Sequence, residues 1–312
     1  MKRNGGLVAF CFPGQGSLAT GMGQEIATLV PEAMEVFERG SEAAGLDLKR
    51  LCFEAPEVEL VETEIQQPAL VATSLAVLAA VRARGIKPDY VVGHSVGEFA
   101  ALAAAGALKV EEAIALVRER GLAMAEAARA NPGSMAAILG LDDEVVERIC
   151  RRILNVWPAN YNCPGQVVVS GEDPAVDKAC LAAESEGARR AVKLRVSGAF
   201  HSPLVARAAD RLRPALDRVK FSEPTAPFMS TVTARIEDAK RMGPLLVEQL
   251  TAPVRFTQAA QALIREGVQT FVEVGPGNVL SGLVRRIDRN AKTISVSSPE
   301  SLAKLEETLA SD

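Results

Sequence analysis

The sequence predicts an α/β fold: a parallel sheet with helices on both faces, and a smaller βαββαβ unit inserted in mid-chain. Two observations lead there. Over most of the chain, short β-branched or apolar runs alternate with longer stretches at helical spacing, the pattern of repeated βα units. Between Gly133 and about Val196 that rhythm changes to strand, helix, strand, strand, helix, strand. With 312 residues, 48% of them hydrophobic and 24% charged, the chain can bury the core of one large unit or two coupled ones.

Taken in order, LVAFCF (7–12) reads as a buried strand. QQPALVATSLAVLAAVRARG (66–85) has helical spacing and ends on a glycine, and DYVVGH (89–94) is a strand after a Pro-Asp turn. VEEAIALVRERGLAMAEAAR (110–129) is helical. The insert supplies strand SMAAIL, helix DDEVVERICRRI, strands VWPANY and QVVVSG, helix DPAVDKACLAAESEG and strand RAVKLRV. That order is ferredoxin-like. Strands TFVEVG (270–275) and TISVS (293–297) follow, separated by the helix-like VLSGLVRRID. The boundaries expected are therefore 1–130 with 198–312 for the large unit and 131–197 for the insert. No repeat or low-complexity tract interrupts them.

Composition excludes several classes. A net charge of -4 and 4% aromatic residues argue against nucleic-acid binding, which favours basic, aromatic-studded surfaces. Cys11, Cys52, Cys150, Cys163 and Cys180 are scattered without a CxxC pair, so reduced thiols are expected rather than a metal or disulfide framework. MKRNGGLVAFCF is basic and then apolar, but its apolar part is too short for a signal peptide and runs into a Pro-Gly loop. The longest apolar run, FAALAAAGAL, is half a membrane span. The expectation is a cytoplasmic protein without a membrane segment; its oligomeric state is open, a monomer included.

The chemistry centres on VVGHSVGEFAAL (91–102). GHSVG follows a predicted strand and opens a predicted helix, the setting of a nucleophile elbow. There Gly93 and Gly97 let strand and helix backbones approach, Ser95 stands above the sheet, and the helix N-terminus favours a developing oxyanion. A serine nucleophile needs a base, and the chain has only two histidines. His94 adjoins Ser95, and neighbouring side chains at a strand end point apart. His201, in the turn-rich RVSGAFHSPLV, is the remaining candidate. No Asp or Glu signals itself as a third member, so a backbone or amide carbonyl is expected to orient the imidazole. FPGQGS (12–17) lacks the spacing of a phosphate or dinucleotide loop, but its backbone N–H groups could serve an oxyanion. EVGPGNVL (273–280), taken alone, is a tight turn.

Together FPGQGS, QQPAL, GHSVGEFAAL, the RG of LVRERGLAM, MAAILG, NYNCPGQVVVSG, SGAFHSPL, QLTAPVRF and EVGPGNVLSGLV resemble the malonyl-CoA:acyl carrier protein transacylases of fatty acid synthesis, in order from about residue 7 to 298. The resemblance implies an α/β-hydrolase-like large subdomain with an inserted ferredoxin-like small one, and a ping-pong reaction without metal or permanently bound cofactor. Ser95 would attack the thioester of malonyl-CoA. His201 would take its proton and later activate the phosphopantetheine thiol of acyl carrier protein. The N–H groups of Gln15 and Val96 would form the oxyanion hole, and the main-chain carbonyl of Gln249 would orient His201. Arg120 would pair with the free carboxylate of malonate. Composition alone would make Arg118 and Arg120 solvated helix charges; the motif selects Arg120. Phe200 would lie against the acyl group and exclude a branched unit, as a phenylalanine does at the matching place in related polyketide acyltransferases; the competing reading is that it packs the loop of His201. A malonyl acyltransferase serving a polyketide synthase and a serine thioesterase share the elbow and stay open as alternatives. For an acidic carrier, Arg189, Arg190 and Lys193, or Arg285 and Arg286, are candidate docking charges.

Overall fold

The computed structural model describes residues 6–311; the basic start of the chain, Met1–Gly5, lies outside them. Ten strands are present among the described residues: β1 (Leu7–Phe12), β2 (Tyr90–Gly93), β3 (Ser134–Leu139), β4 (Val156–Cys163), β5 (Gln166–Gly171), β6 (Arg190–Lys193), β7 (Phe228–Ser230), β8 (Arg235–Glu237), β9 (Val268–Val274) and β10 (Lys292–Val296). They form a six-stranded sheet in the order β10-β9-β1-β2-β7-β8 and a four-stranded sheet in the order β4-β5-β3-β6.

The alternation of β1 shows why helices cover both faces of the large sheet. Val8, Phe10 and Phe12 enter one core, with residues of the helices Thr63–Ala83, Gly97–Ala104 and Val110–Ala130. Ala9 and Cys11 enter the opposite core, with residues of Phe256–Arg265 and Val279–Ile287. A strand buried on both faces reads as a continuous apolar run, which is how LVAFCF is written. The sheet is not wholly parallel, however. β8 pairs antiparallel with β7, because only residues 231–234 join them, too few for the crossover that a parallel pair needs. Ala234 turns that corner with φ 54°.

The small sheet is antiparallel throughout. Its runs SMAAIL and QVVVSG are strands over their full predicted length. β6 is shorter than RAVKLRV because the chain turns after Lys193, where Val196 N–H bonds back to Leu194 O. Thr63–Ala83 is long and apolar enough by composition to cross a membrane, but it is a core helix in this fold, with 78% of its apolar window buried.

Strand order positions the site. β1 is flanked by β2 on one side and β9 on the other, so the chain leaves β1 in one direction and returns beside it from the other. Such a switch point opens a crevice at the carboxyl ends of the strands. FPGQGS follows β1, GHSVG follows β2 and the Gly-Pro loop follows β9, all at that edge. The small sheet covers it from above and is tied down through β4, where Tyr161 N–H donates to Val254 O and Val254 N–H to Ala159 O, both 2.8 Å.

Candidate active site

The elbow at Ser95 follows from glycine. A Cβ on Gly93 would stand 2.2 Å from the backbone N of Glu98, and one on Gly97 2.2 Å from Phe12 O. Neither distance is physical, so strand and helix can meet this closely only with glycine at both places. Between them Ser95 takes φ 52°, a left-handed backbone that a serine adopts at a cost. Its Oγ thereby reaches over the sheet edge.

His201 lies 2.8 Å from that oxygen through Nε2. Its Nδ1 donates to Gln249 O at 2.9 Å and to Ala252 O at 3.2 Å. Two carbonyls can only accept, so Nδ1 carries the proton and Nε2 presents a lone pair to the serine. Burial and the charge of Arg120 depress the His201 pKa to about 3, which keeps the ring neutral. His94 is turned away: its Nε2 meets Asn162 Oδ1 at 2.9 Å and its ring lies beside Phe256.

Arg120 is fully buried on the helix Val110–Ala130. Nη1 donates to Gln67 Oε1 at 2.5 Å, and Nη2 reaches both Ser95 Oγ at 3.1 Å and Gln249 Oε1 at 3.0 Å. Nε is a buried donor without a partner. Burial pulls the guanidinium pKa down to about 9, partly offset by Glu98, so it remains a cation near neutral pH. Arg118, two residues earlier, has a different partner, the carbonyl of Glu64 at 2.6 Å.

The cleft above Ser95 encloses about 80 Å³ and is lined by Gln15, His94, Ser95, Met135, Asn160, Leu194, Val196, Phe200 and His201. Phe200 is 2% exposed, borders the cleft, and belongs to the core shared with Phe10 and Phe12. Gln15 is braced by its side chain, which donates to Gln66 Oε1. Among the described residues no hydrogen bond occupies the backbone N–H of Gln15 or of Val96.

The structure thus brings Ser95, His201, Arg120 and Gln249 into one hydrogen-bonded cluster, with Gln15, Val96 and Phe200 around it. Of the docking candidates, Lys193 is paired with Asp173 and Asp177, and Arg286 holds Gln166. Sequence reasoning missed Gln67, Asn162 and Glu98. Gln67 sits in QQPAL, and Glu98 is a carboxylate opening an otherwise apolar helix, which is the signal it left. Among the described residues no cluster of His, Cys, Asp or Glu is suited to a metal ion.

Comparison with known proteins agrees with this architecture. The acyl transferase domain family matches residues 9–304. The malonyl CoA-acyl carrier protein transacylase of Bacillus subtilis is 45% identical over 307 residues, covering 97% of each chain. The solved transacylase of the same name from Coxiella burnetii superposes with a TM-score of 0.96 at 37% identity, covering 99% of each chain. A malonyl-transacylase solved in complex with its type II PKS acyl-carrier protein has a TM-score of 0.94 at 39% identity, over 97% of this chain and 99% of that one. The chain belongs to the malonyl CoA-acyl carrier protein transacylase family of acyltransferases.

Proposed function

We propose that this protein transfers the malonyl group from malonyl-CoA to the phosphopantetheine thiol of acyl carrier protein through a malonyl-Ser95 intermediate, supplying fatty acid synthesis. The observation that carries it is the pair of contacts at one oxygen: Ser95 Oγ lies 2.8 Å from a neutral imidazole nitrogen and 3.1 Å from a guanidinium nitrogen. In the first half-reaction Nε2 of His201 takes the hydroxyl proton as Oγ attacks the thioester carbonyl. The N–H groups of Gln15 and Val96 receive the oxyanion, and CoA leaves as the thiol with the proton from His201. In the second half, the carrier thiol gives its proton to His201 and attacks the malonyl ester; the bond from the acyl carbon to Ser95 Oγ breaks, and His201 returns the proton to Oγ.

Arg120 supplies the substrate preference. Its unpartnered Nε–H and its buried charge suit the free carboxylate of malonate. Phe200 lines the cleft, and in this reading its ring lies against the α-carbon and refuses a methyl branch. Residues 131–197 act as the inserted subdomain that roofs the cleft, and 1–130 with 198–312 as the catalytic one. The reading carries a cytoplasmic setting, no resident cofactor and no membrane or nucleic-acid partner.

The test is intact-protein mass spectrometry with malonyl-CoA alone and then with a holo-carrier. A malonyl adduct is expected on wild type, none on Ser95→Ala, and discharge to the carrier in the second step. An adduct that persists in Ser95→Ala would overturn the assignment. Because one relative was solved with a type II PKS carrier, carriers of fatty acid and of polyketide type belong side by side in the discharge step.

A further inference from the structure

Glu98 is a charged residue with 0% exposure, one turn beyond Ser95. Burying a carboxylate is costly unless its oxygens are satisfied. Here Oε1 accepts from the backbone N–H of Thr231 at 2.6 Å and from the Thr231 hydroxyl at 2.9 Å, while Oε2 accepts from Gln249 Nε2. The second proton of that amide goes to Ser95 O at 2.9 Å. Both amide protons are therefore committed, and the amide oxygen is left to face Arg120 Nη2.

Burial pushes the Glu98 pKa up to about 7, against the donors of Thr231 and Gln249 that hold it down, and the ionised carboxylate is an acceptor only, so it faces the NH2 end of a glutamine. We propose that Glu98 is a positioning residue: together with the Ser95 carbonyl it fixes which way the Gln249 amide points, and the amide oxygen in turn holds the Arg120 guanidinium in register for a carboxylate substrate. This rests on the malonyl-transfer reading above. Glu98 itself touches neither the nucleophile's oxygen nor the base. It acts through one amide, which also explains why a residue whose main-chain carbonyl serves His201 should carry a glutamine side chain.

Glu98→Gln isolates the charge. The two Thr231 donors would keep the new amide oxygen, turning its NH2 toward the NH2 of Gln249. Two donors would face one another, and a flip of Gln249 would relieve that only by setting its oxygen against Ser95 O and its NH2 against the cationic Arg120, so the amide loses its fixed position either way. The measurements are kcat and KM for malonyl-CoA and for acetyl-CoA, with thermal melts of each variant. The ratio of malonyl to acetyl kcat/KM should fall by about 10-fold or more, chiefly through the malonyl KM, as for a lost charge-assisted contact. Acetyl transfer should stay within about 3-fold. Thr231→Val, which removes one of the bonds aiming the carboxylate, should shift the ratio in the same direction by less, and it serves if Glu98→Gln does not fold.

An equal loss for both acyl groups, or an unchanged ratio, would overturn the proposal. Failure of the wild type to form any malonyl adduct would instead overturn the functional reading, whatever Glu98 does.

Discussion

The two histidines make a natural comparison: His201 is buried and His94 half-buried, both are held below the usual imidazole pKa by desolvation, and only one faces the serine. His94 immediately precedes Ser95 in the chain and is turned away from it; its Nε2 is taken by the Asn162 amide oxygen. His201 is 106 residues distant in sequence and presents a lone pair to Ser95 at hydrogen-bond distance. What separates them is the partner on the other ring nitrogen. Two carbonyl oxygens force a proton onto Nδ1 of His201 and so free Nε2. Basicity at this site is set by orientation, and closeness along the chain counts for nothing.

The sharpest way to break the comparison is to remove each ring. His201→Ala should slow formation of the malonyl adduct by about 10² to 10⁴, the span of a positioned general base. The same pair responds to pH in a defined direction. The folded pKa of His201, about 3 against an ordinary 6.5, is depressed. Its contribution to stability is then present above pH 6.5 and is lost as pH falls toward 3, because only the unfolded chain takes up the proton. Thermal melts of wild type should thus decline faster on acidification than those of His201→Ala.

Next in size is Arg120→Ala. It should weaken malonyl transfer by about 2–3 kcal/mol, roughly 30- to 150-fold in kcat/KM, while leaving acetyl transfer unharmed or improved. Equal losses would make Arg120 structural. Phe200→Ser is smaller: competition between malonyl-CoA and methylmalonyl-CoA should move toward the branched substrate by about 1–3 kcal/mol as steric pressure is relieved. If both rates fall alike, the ring only supports its loop. Least of all, His94→Ala should cost less than about 10-fold, through lost packing against Phe256 and the loop at Gly14. A larger effect from His94 than from His201 would reverse the comparison.

Much of this arrangement was legible because it is local. Strand, glycine, serine, glycine and helix lie within a dozen residues, and the βαββαβ insert is written in alternating apolar runs with short connections. The antiparallel β8 was not legible, since three residues, two of them exposed, carry almost no hydrophobic pattern. Arg120 could be chosen over Arg118 only by resemblance, because both occupy one helix and the choice depends on which side of it meets Gln67 and Gln249. Glu98 escaped notice for a different reason. Its partners Thr231 and Gln249 lie 133 and 151 residues away, and no local rule joins a carboxylate to donors that distant.

The seam along β4 has a mechanical consequence. Residues 159–162 are stitched to the segment that leads into the helix Phe256–Arg265 and to the end of β2, by the two Val254 hydrogen bonds, by the Thr257 hydroxyl on Tyr161 O, and by the contact of Asn162 with His94. Val254 sits two residues after Ala252, one of the carbonyls that aim the imidazole. Any rocking of the roof about this margin would tug directly on the carbonyls that hold His201. A cleft that must admit a long pantetheine arm and yet keep its histidine aimed does better to treat β4 as the pinned edge of a door and to yield along the opposite rim, at Leu194–Val196 just past β6, where exposed Arg195 stands between half-buried Leu194 and Val196.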